Sequence, residues 1–171
     1  LVGDGTVHIG GDSAGVADWS MTVRADAKVF RVGDYLFGFT DSFRMGQLIR
    51  YTLKLPTPAA DLDRYMATTF IDALRDCLKE GGWAKKDTER EEGGTFLVGV
   101  TGRLFKVESD YQVGEAADGY AAVGCGADVA LGALYATDTT MAPAARVDVA
   151  LRAAERFSAG VRGPFLSLSL E

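Results

Sequence analysis

Asp12 and Lys28 are the residues whose types and surroundings point most directly to chemistry. Asp12 closes the strand that follows a tight turn, and Lys28 lies on the polar face of the next strand region. Adjacent antiparallel strands could bring the two charges into contact. The simpler account of such a pair is an exposed cross-strand salt bridge. Its neighbours argue against that account: Gly10, Gly11, Ala14 and Gly15 surround Asp12, and Ala27, Val29 and Phe30 surround Lys28. A lysine among small and apolar residues has its charge tuned by burial and by its partner, as catalytic lysines do.

The other candidates carry less. Gly124-x-Gly126 opens a helix as a dinucleotide fingerprint does, but Val129 stands where the third glycine belongs. Glycines at such a corner permit close packing. The pairs Gly81-Gly82 and Gly93-Gly94 lack the Lys and Ser/Thr of a phosphate loop and read as turns. His8 is the single histidine, which excludes any mechanism needing two imidazoles and makes it a structural residue of its strand. Cys77 and Cys125 form no CxxC pair and no disulfide framework. Cys125 as a nucleophile would lack a partner imidazole in prospect. No metal or cofactor is expected.

The whole composition agrees with a soluble globular protein. Of 171 residues, 47% are hydrophobic and 25% charged, the mix of one soluble domain. Lys plus Arg number 18 against 24 Asp plus Glu, a formal charge of −6, which argues against nucleic acid and anionic membrane surfaces. No apolar run reaches the length of a membrane span. Unpaired cysteines and the lack of a targeting segment predict a cytoplasmic location.

The elements that must position these residues follow from periodicity. Asp4-Gly5 predicts a hairpin turn, yet only three residues precede it, so the chain reads as starting within its first strand. Residues 6–12 alternate as a strand, 13–20 read as a Gly/Ala/Ser-rich connection, and 21–32 as a second strand region. Gly33-Asp34 predicts a turn, and 35–39 a short apolar strand. Helical spacing covers 42–55 and 61–79, a charged loop 83–92, and the run Glu89 to Glu92 reads as solvated. Strands are expected at 94–100, 103–109 and 120–123, helices at 127–136 and 143–158, and a last strand at 165–170. Strands in meanders with helices in pairs predict antiparallel sheets covered by helices, not a doubly wound sheet.

Thr6-Val7-His8-Ile9-Gly10-Gly11-Asp12-Ser13 resembles the first-strand segment of proteasome β subunits and of the related bacterial ATP-dependent protease. Lys28-Val29-Phe30-Arg31-Val32 resembles their lysine strand, at the right spacing from Asp12. Val123-Gly124-Cys125-Gly126-Ala127 and the helix after it are similar to their Gly-Ser-Gly corner, and residues 146–160 to the helix before their last strands.

The resemblance implies an α+β fold, a four-layer αββα sandwich of N-terminal nucleophile (Ntn) hydrolase type, as one domain over residues 1–171. It implies a threonine-type peptidase whose N-terminal hydroxyl attacks the peptide carbonyl, with its own α-amine as base. Lys28 would supply the nearby cation and Asp12 would hold it. The nucleophile would stand about five residues before Leu1, since Thr6 is on the wrong strand. Cys125 takes the place of the family's serine, and a thiol is the poorer hydrogen-bond partner. Val16, Phe30, Thr40, Asp41 and Ser42 fall at substrate-binding positions. There the family's Ala-Gly-Gly stretch, source of a backbone N–H for the oxyanion, reads Thr40-Asp41-Ser42. Implied partners are a peptide or unfolded-protein substrate, further copies in a homo-oligomeric ring, and an unfoldase ATPase. The alternative is a catalytically inactive proteasome-fold subunit with an assembly or binding role. The Asp12 and Lys28 pair favours the enzyme, and the altered Cys125 and Thr40 regions favour the alternative.

Overall fold

Asp4 and Gly5 both adopt positive φ, 51° and 76°, the geometry whose twist suits a two-residue hairpin. The turn joins β1 (Val2–Gly3) to β2 (Thr6–Gly11), with Val2 opposite Val7 and Gly3 opposite Thr6. The computed structural model in which this is seen describes residues 1–87 and 90–171. β12 (Leu166–Leu170) pairs with the other edge of β2, from Val7 to Gly11, and completes a three-stranded antiparallel sheet.

A second sheet holds β5 (Val29–Val32), β6 (Tyr35–Phe39), β9 (Phe96–Val100), β10 (Arg103–Val107) and β11 (Val113–Glu115), every pair antiparallel. One face of it carries Phe30, Tyr35, Phe37, Phe96, Val98 and Phe105, buried against α1 (Phe43–Tyr51), α2 (Leu62–Tyr65) and α3 (Ile71–Glu80). A π-helical turn (Met66–Phe70) joins α2 to α3 and buries Met66 and Phe70 in the same cluster. The opposite face meets the first sheet: Val29, Leu36, Leu97 and Leu104 pack against Val7, Ile9 and Leu170. A third cluster, with Leu1, Leu134, Val147 and Ala150, lies beneath α4 (Ala127–Ala136) and α5 (Pro143–Phe157). The period of two in each strand thus sends alternate residues to two different cores.

Glycines set the spacing between the sheets. A Cβ on Gly38 would stand 2.6 Å from Ile9 Cγ2, and one on Gly99 would stand 2.8 Å from Val7 Cγ1. A side chain at either position would force these methyl groups to shift in the packing between the sheets.

Several expectations need correction. Residues 13–20 are not a plain connection: β3 (Ala14–Ala17) and β4 (Ser20–Val23) form a hairpin whose outer residues Val16, Trp19, Met21 and Val23 are exposed. A hairpin burying so little carries no alternating signal. The strand expected over 21–32 is broken between β4 and β5, where Arg24 clamps Asp26 through Nε and Nη2 at 2.7 and 2.6 Å. The loop expected at 83–92 contains the hairpin of β7 (Lys85–Asp87) and β8 (Arg90–Glu92), while Glu89 lies outside the described residues. Residues 120–123 are not a strand; Ala121 and Val123 pack singly on the inter-sheet core. No helix among the described residues is long and apolar enough to cross a membrane.

Candidate active site

Asp12 and Lys28 sit one residue outside strands of different sheets, Asp12 after β2 and Lys28 before β5. Their contact is therefore between sheets, not across a ladder. Lys28 Nζ donates to Asp12 Oδ1 at 2.7 Å, with the side chains only 15% and 13% exposed. That burial excludes the surface salt bridge. The second carboxylate oxygen accepts the backbone N–H of Ala14 at 2.8 Å and of Arg162 at 3.2 Å. Three donors thus fix one carboxylate, and its charge is matched by the ammonium.

The backbone holds both residues in place. Ser13 N donates to Arg162 O at 2.8 Å and its hydroxyl to Pro164 O at 2.6 Å, stapling the Asp12 segment to the approach to β12. Lys28 O accepts from Phe39 N at 3.1 Å, and the Phe43 ring centroid lies 5.9 Å from Nζ, within cation–π range. Gly11 makes the approach possible, since a Cβ there would meet Val29 Cγ2 at 2.7 Å. The anchors from Arg162 and Phe43 lie far from Asp12 and Lys28 in sequence and left no local signal.

The pair opens onto a trough of about 570 Å³ between the two sheets and the inner faces of α4 and α5. Cys125, Thr40, Asp41 and Ser42 also line it, and the half-exposed Val16 stands at its side on β3. Cys125 is exposed, one residue before the Gly126 that caps α4, and Gly160 closes against its thiol. Gly124, at φ 95°, lets this corner pass Thr40, whose Oγ1 would stand 2.8 Å from an added Cβ. Phe30 is not brought here. It is buried on the helix-facing side of β5, 5.6 Å from the Phe37 ring, with the Arg50 guanidinium 5.4 Å from its centroid. Cys77 is also remote: its buried thiol bonds Leu48 O, and burial raises its pKa above the ordinary thiol value.

Residues 40–42 form a tight three-residue turn in which Ser42 N donates to Thr40 O at 2.8 Å across Asp41, itself at φ 64°. One backbone N–H of the stretch that the resemblance assigns to the oxyanion, that of Ser42, is therefore engaged within the turn. Ser42 Oγ accepts from Arg44 N at 3.1 Å and caps α1, while Asp41 Oδ2 accepts from Thr95 N at 2.9 Å.

The edge of β2 away from β12 also faces the trough. β1 covers it as far as His8, where His8 N donates to Leu1 O at 2.8 Å and the Leu1 amine donates to His8 O at 3.0 Å. Ile9, Gly10 and Gly11 then line the trough. Burial holds His8 below the ordinary imidazole range, so it is neutral at pH 7.

No family model matches the chain, and no curated protein does. Solved structures do. BPH from Thiobacillus denitrificans, in complex with epoxomicin, superimposes with a TM-score of 0.81 at 24% identity, covering 99% of this chain and 94% of that one. HslV from Trypanosoma brucei gives 0.68 at 18% identity, over 99% and 95%. Anbu, an ancestral β-subunit from Yersinia bercovieri, gives 0.63 at 13% identity, over 95% and 76%. The chain shares the proteasome-type fold of these structures.

Proposed function

We propose that this chain is a threonine-type peptidase whose nucleophile precedes Leu1. The observation that carries the reading is the largely buried Asp12 and Lys28 pair opening onto a trough along β2. In the Val2 to Val7 register, each step back from Leu1 is one step forward along β2. Five steps back reach the level of Ser13, beside Asp12. A peptide N–H at Leu1 would keep the bond to His8 O without burying a charge.

In this mechanism the N-terminal hydroxyl adds to the substrate carbonyl and its proton passes to the α-amine. The amine returns that proton to the leaving nitrogen as the C–N bond breaks, and water then hydrolyses the ester. The Lys28 ammonium, held at Asp12, would lower the pKa of both amine and hydroxyl. Asp12 keeps the ammonium in place.

The three apolar clusters support one domain in four layers, helices outside two sheets. The fold supports a homo-oligomeric ring that takes unfolded peptide, with an unfoldase ATPase as a further partner. A second reading, an inactive subunit, is favoured by the altered Cys125 corner and Thr40-Asp41-Ser42 turn, where the Ser42 N–H is engaged by Thr40 O. Sedimentation with a fluorogenic peptide assay on each fraction separates the two. The peptidase reading expects hydrolysis in a species several times heavier than the 18.2 kDa chain. Hydrolysis in no fraction supports the inactive subunit, and hydrolysis by a monomer contradicts the ring.

A further inference from the structure

We propose that the Phe43 ring limits the size of the substrate side chain beside the scissile bond and holds that position to small residues. The inference rests on the peptidase reading and adds the substrate class to it. Phe43 opens α1, and its ring walls the trough on one side and a second cavity of about 60 Å³ on the other. Asp26, Ala27, Gly46, Gln47 and Arg50 line that second cavity. The ring centroid lies 5.9 Å from Lys28 Nζ. A carbonyl attacked beside Lys28 carries its side chain on the adjoining carbon, so that side chain meets the ring.

The ring is held from several directions. The Arg24 guanidinium stacks 4.0 Å from its centroid and is itself fixed by Asp26 through bonds of 2.7 and 2.6 Å. Phe39 meets it edge to face, with the centroids 5.5 Å apart. Phe39 in turn occupies the space that a side chain on Gly46 would need. Swinging Phe43 aside would forfeit both the cation–π contact and the aromatic pair. The corner of the trough on the Arg24 side is also full. A Cβ on Gly15 would stand 2.6 Å from Arg24 Cδ and 3.6 Å from Phe43 Cε2. Removing the ring would join the trough to the cavity behind it and make room for a large side chain.

The test compares three peptide substrates, identical except for alanine, leucine or phenylalanine before the scissile bond. The whole protein is expected to show kcat/KM about tenfold or more higher for alanine than for phenylalanine, as a filled site rejects excess carbon. In Phe43→Ala that ratio should fall to about one or invert, with leucine following phenylalanine. Phe43→Leu keeps an apolar side chain at the start of α1 and should give an intermediate ratio. A loss common to all three substrates, from the missing contact to Lys28, cancels in the ratio. Circular dichroism checks folding, and Phe43→Leu decides alone where Phe43→Ala does not fold.

A ratio near or below one in the unmodified protein, or one that survives in the folded variants, overturns the inference while hydrolysis itself leaves the peptidase reading intact. If no peptide is hydrolysed, the peptidase reading fails. Fluorescence anisotropy with reduced-amide versions of the three peptides then decides the inference alone. Alanine bound tightest, with the preference lost in the variants, supports it; equal binding, or a preference the variants keep, overturns it.

Discussion

Lys28→Ala is expected to lower kcat/KM for peptide hydrolysis by about a hundredfold or more, the usual magnitude of general acid–base assistance. The reason lies in where the charge is held. Lys28 Nζ is 2.7 Å from Asp12 Oδ1, its side chain is 15% exposed, and it faces the trough. Removing it takes away the cation that depresses the pKa of the attacking hydroxyl and its amine. It also leaves Asp12 with only its two backbone donors, Ala14 and Arg162. Lys28→Arg should not restore activity, because a planar guanidinium does not fit where a compact ammonium sits below the Phe43 ring. Asp12→Asn should fall between, since its carbonyl can still accept from Lys28 but no longer with a charge. Circular dichroism and sedimentation serve as controls for folding and assembly. A Lys28→Ala protein retaining more than half its activity would reduce the pair to packing.

A large stability effect is expected at Gly99. A Cβ there would lie 2.8 Å from Val7 Cγ1 and 3.4 Å from Leu36 Cβ, both on fully buried residues. Valine adds two further methyl groups to a space that cannot take one carbon. Gly99→Val should cost about 3 kcal/mol, near the upper end for overpacking. For a chain of 171 residues that is a fall in Tm of roughly 6–12 °C. Gly114→Ala on β11 is the control: nothing lies within 4 Å of an added Cβ there, so its Tm should barely move. Thermal unfolding of the two variants side by side checks this. A Gly99→Val protein as stable as Gly114→Ala would mean that the sheets are not held at the spacing described.

Local signals in the sequence carried much of this architecture. Asp4-Gly5 announces its turn because both residues adopt positive φ, which Asp and Gly tolerate and few other residue types do. α4 begins and ends where the reading of 127–136 placed it. What depends on contacts between distant segments was not legible. The β3 and β4 hairpin leaves its apolar side chains exposed, so no buried periodicity marks it. Arg162 lends Asp12 a backbone N–H from 150 positions away, and a backbone donor has no sequence signature.

Phe30 shows the limit of transferring a position from a resemblance. A strand running unbroken through Lys28 would place Phe30 on the same face two residues later. β5 begins only at Val29, so Lys28 stands outside the pleat and Phe30 follows its own strand into the helix-facing core. The Thr40-Asp41-Ser42 turn is a similar case. Residue types marked it as altered, but the bond from Ser42 N to Thr40 O depends on the positive φ at Asp41.

The central claim is that Asp12 and Lys28 serve an N-terminal nucleophile placed beside them by the strand preceding Leu1. Mass spectrometric identification of the N-terminal residue of the peptide-hydrolysing protein, isolated from cells, tests it most directly. The account predicts a threonine, or a serine or cysteine, with a free α-amine five residues before Leu1. An aliphatic residue at that position, or a blocked amine on a protein that still hydrolyses peptides, would contradict it.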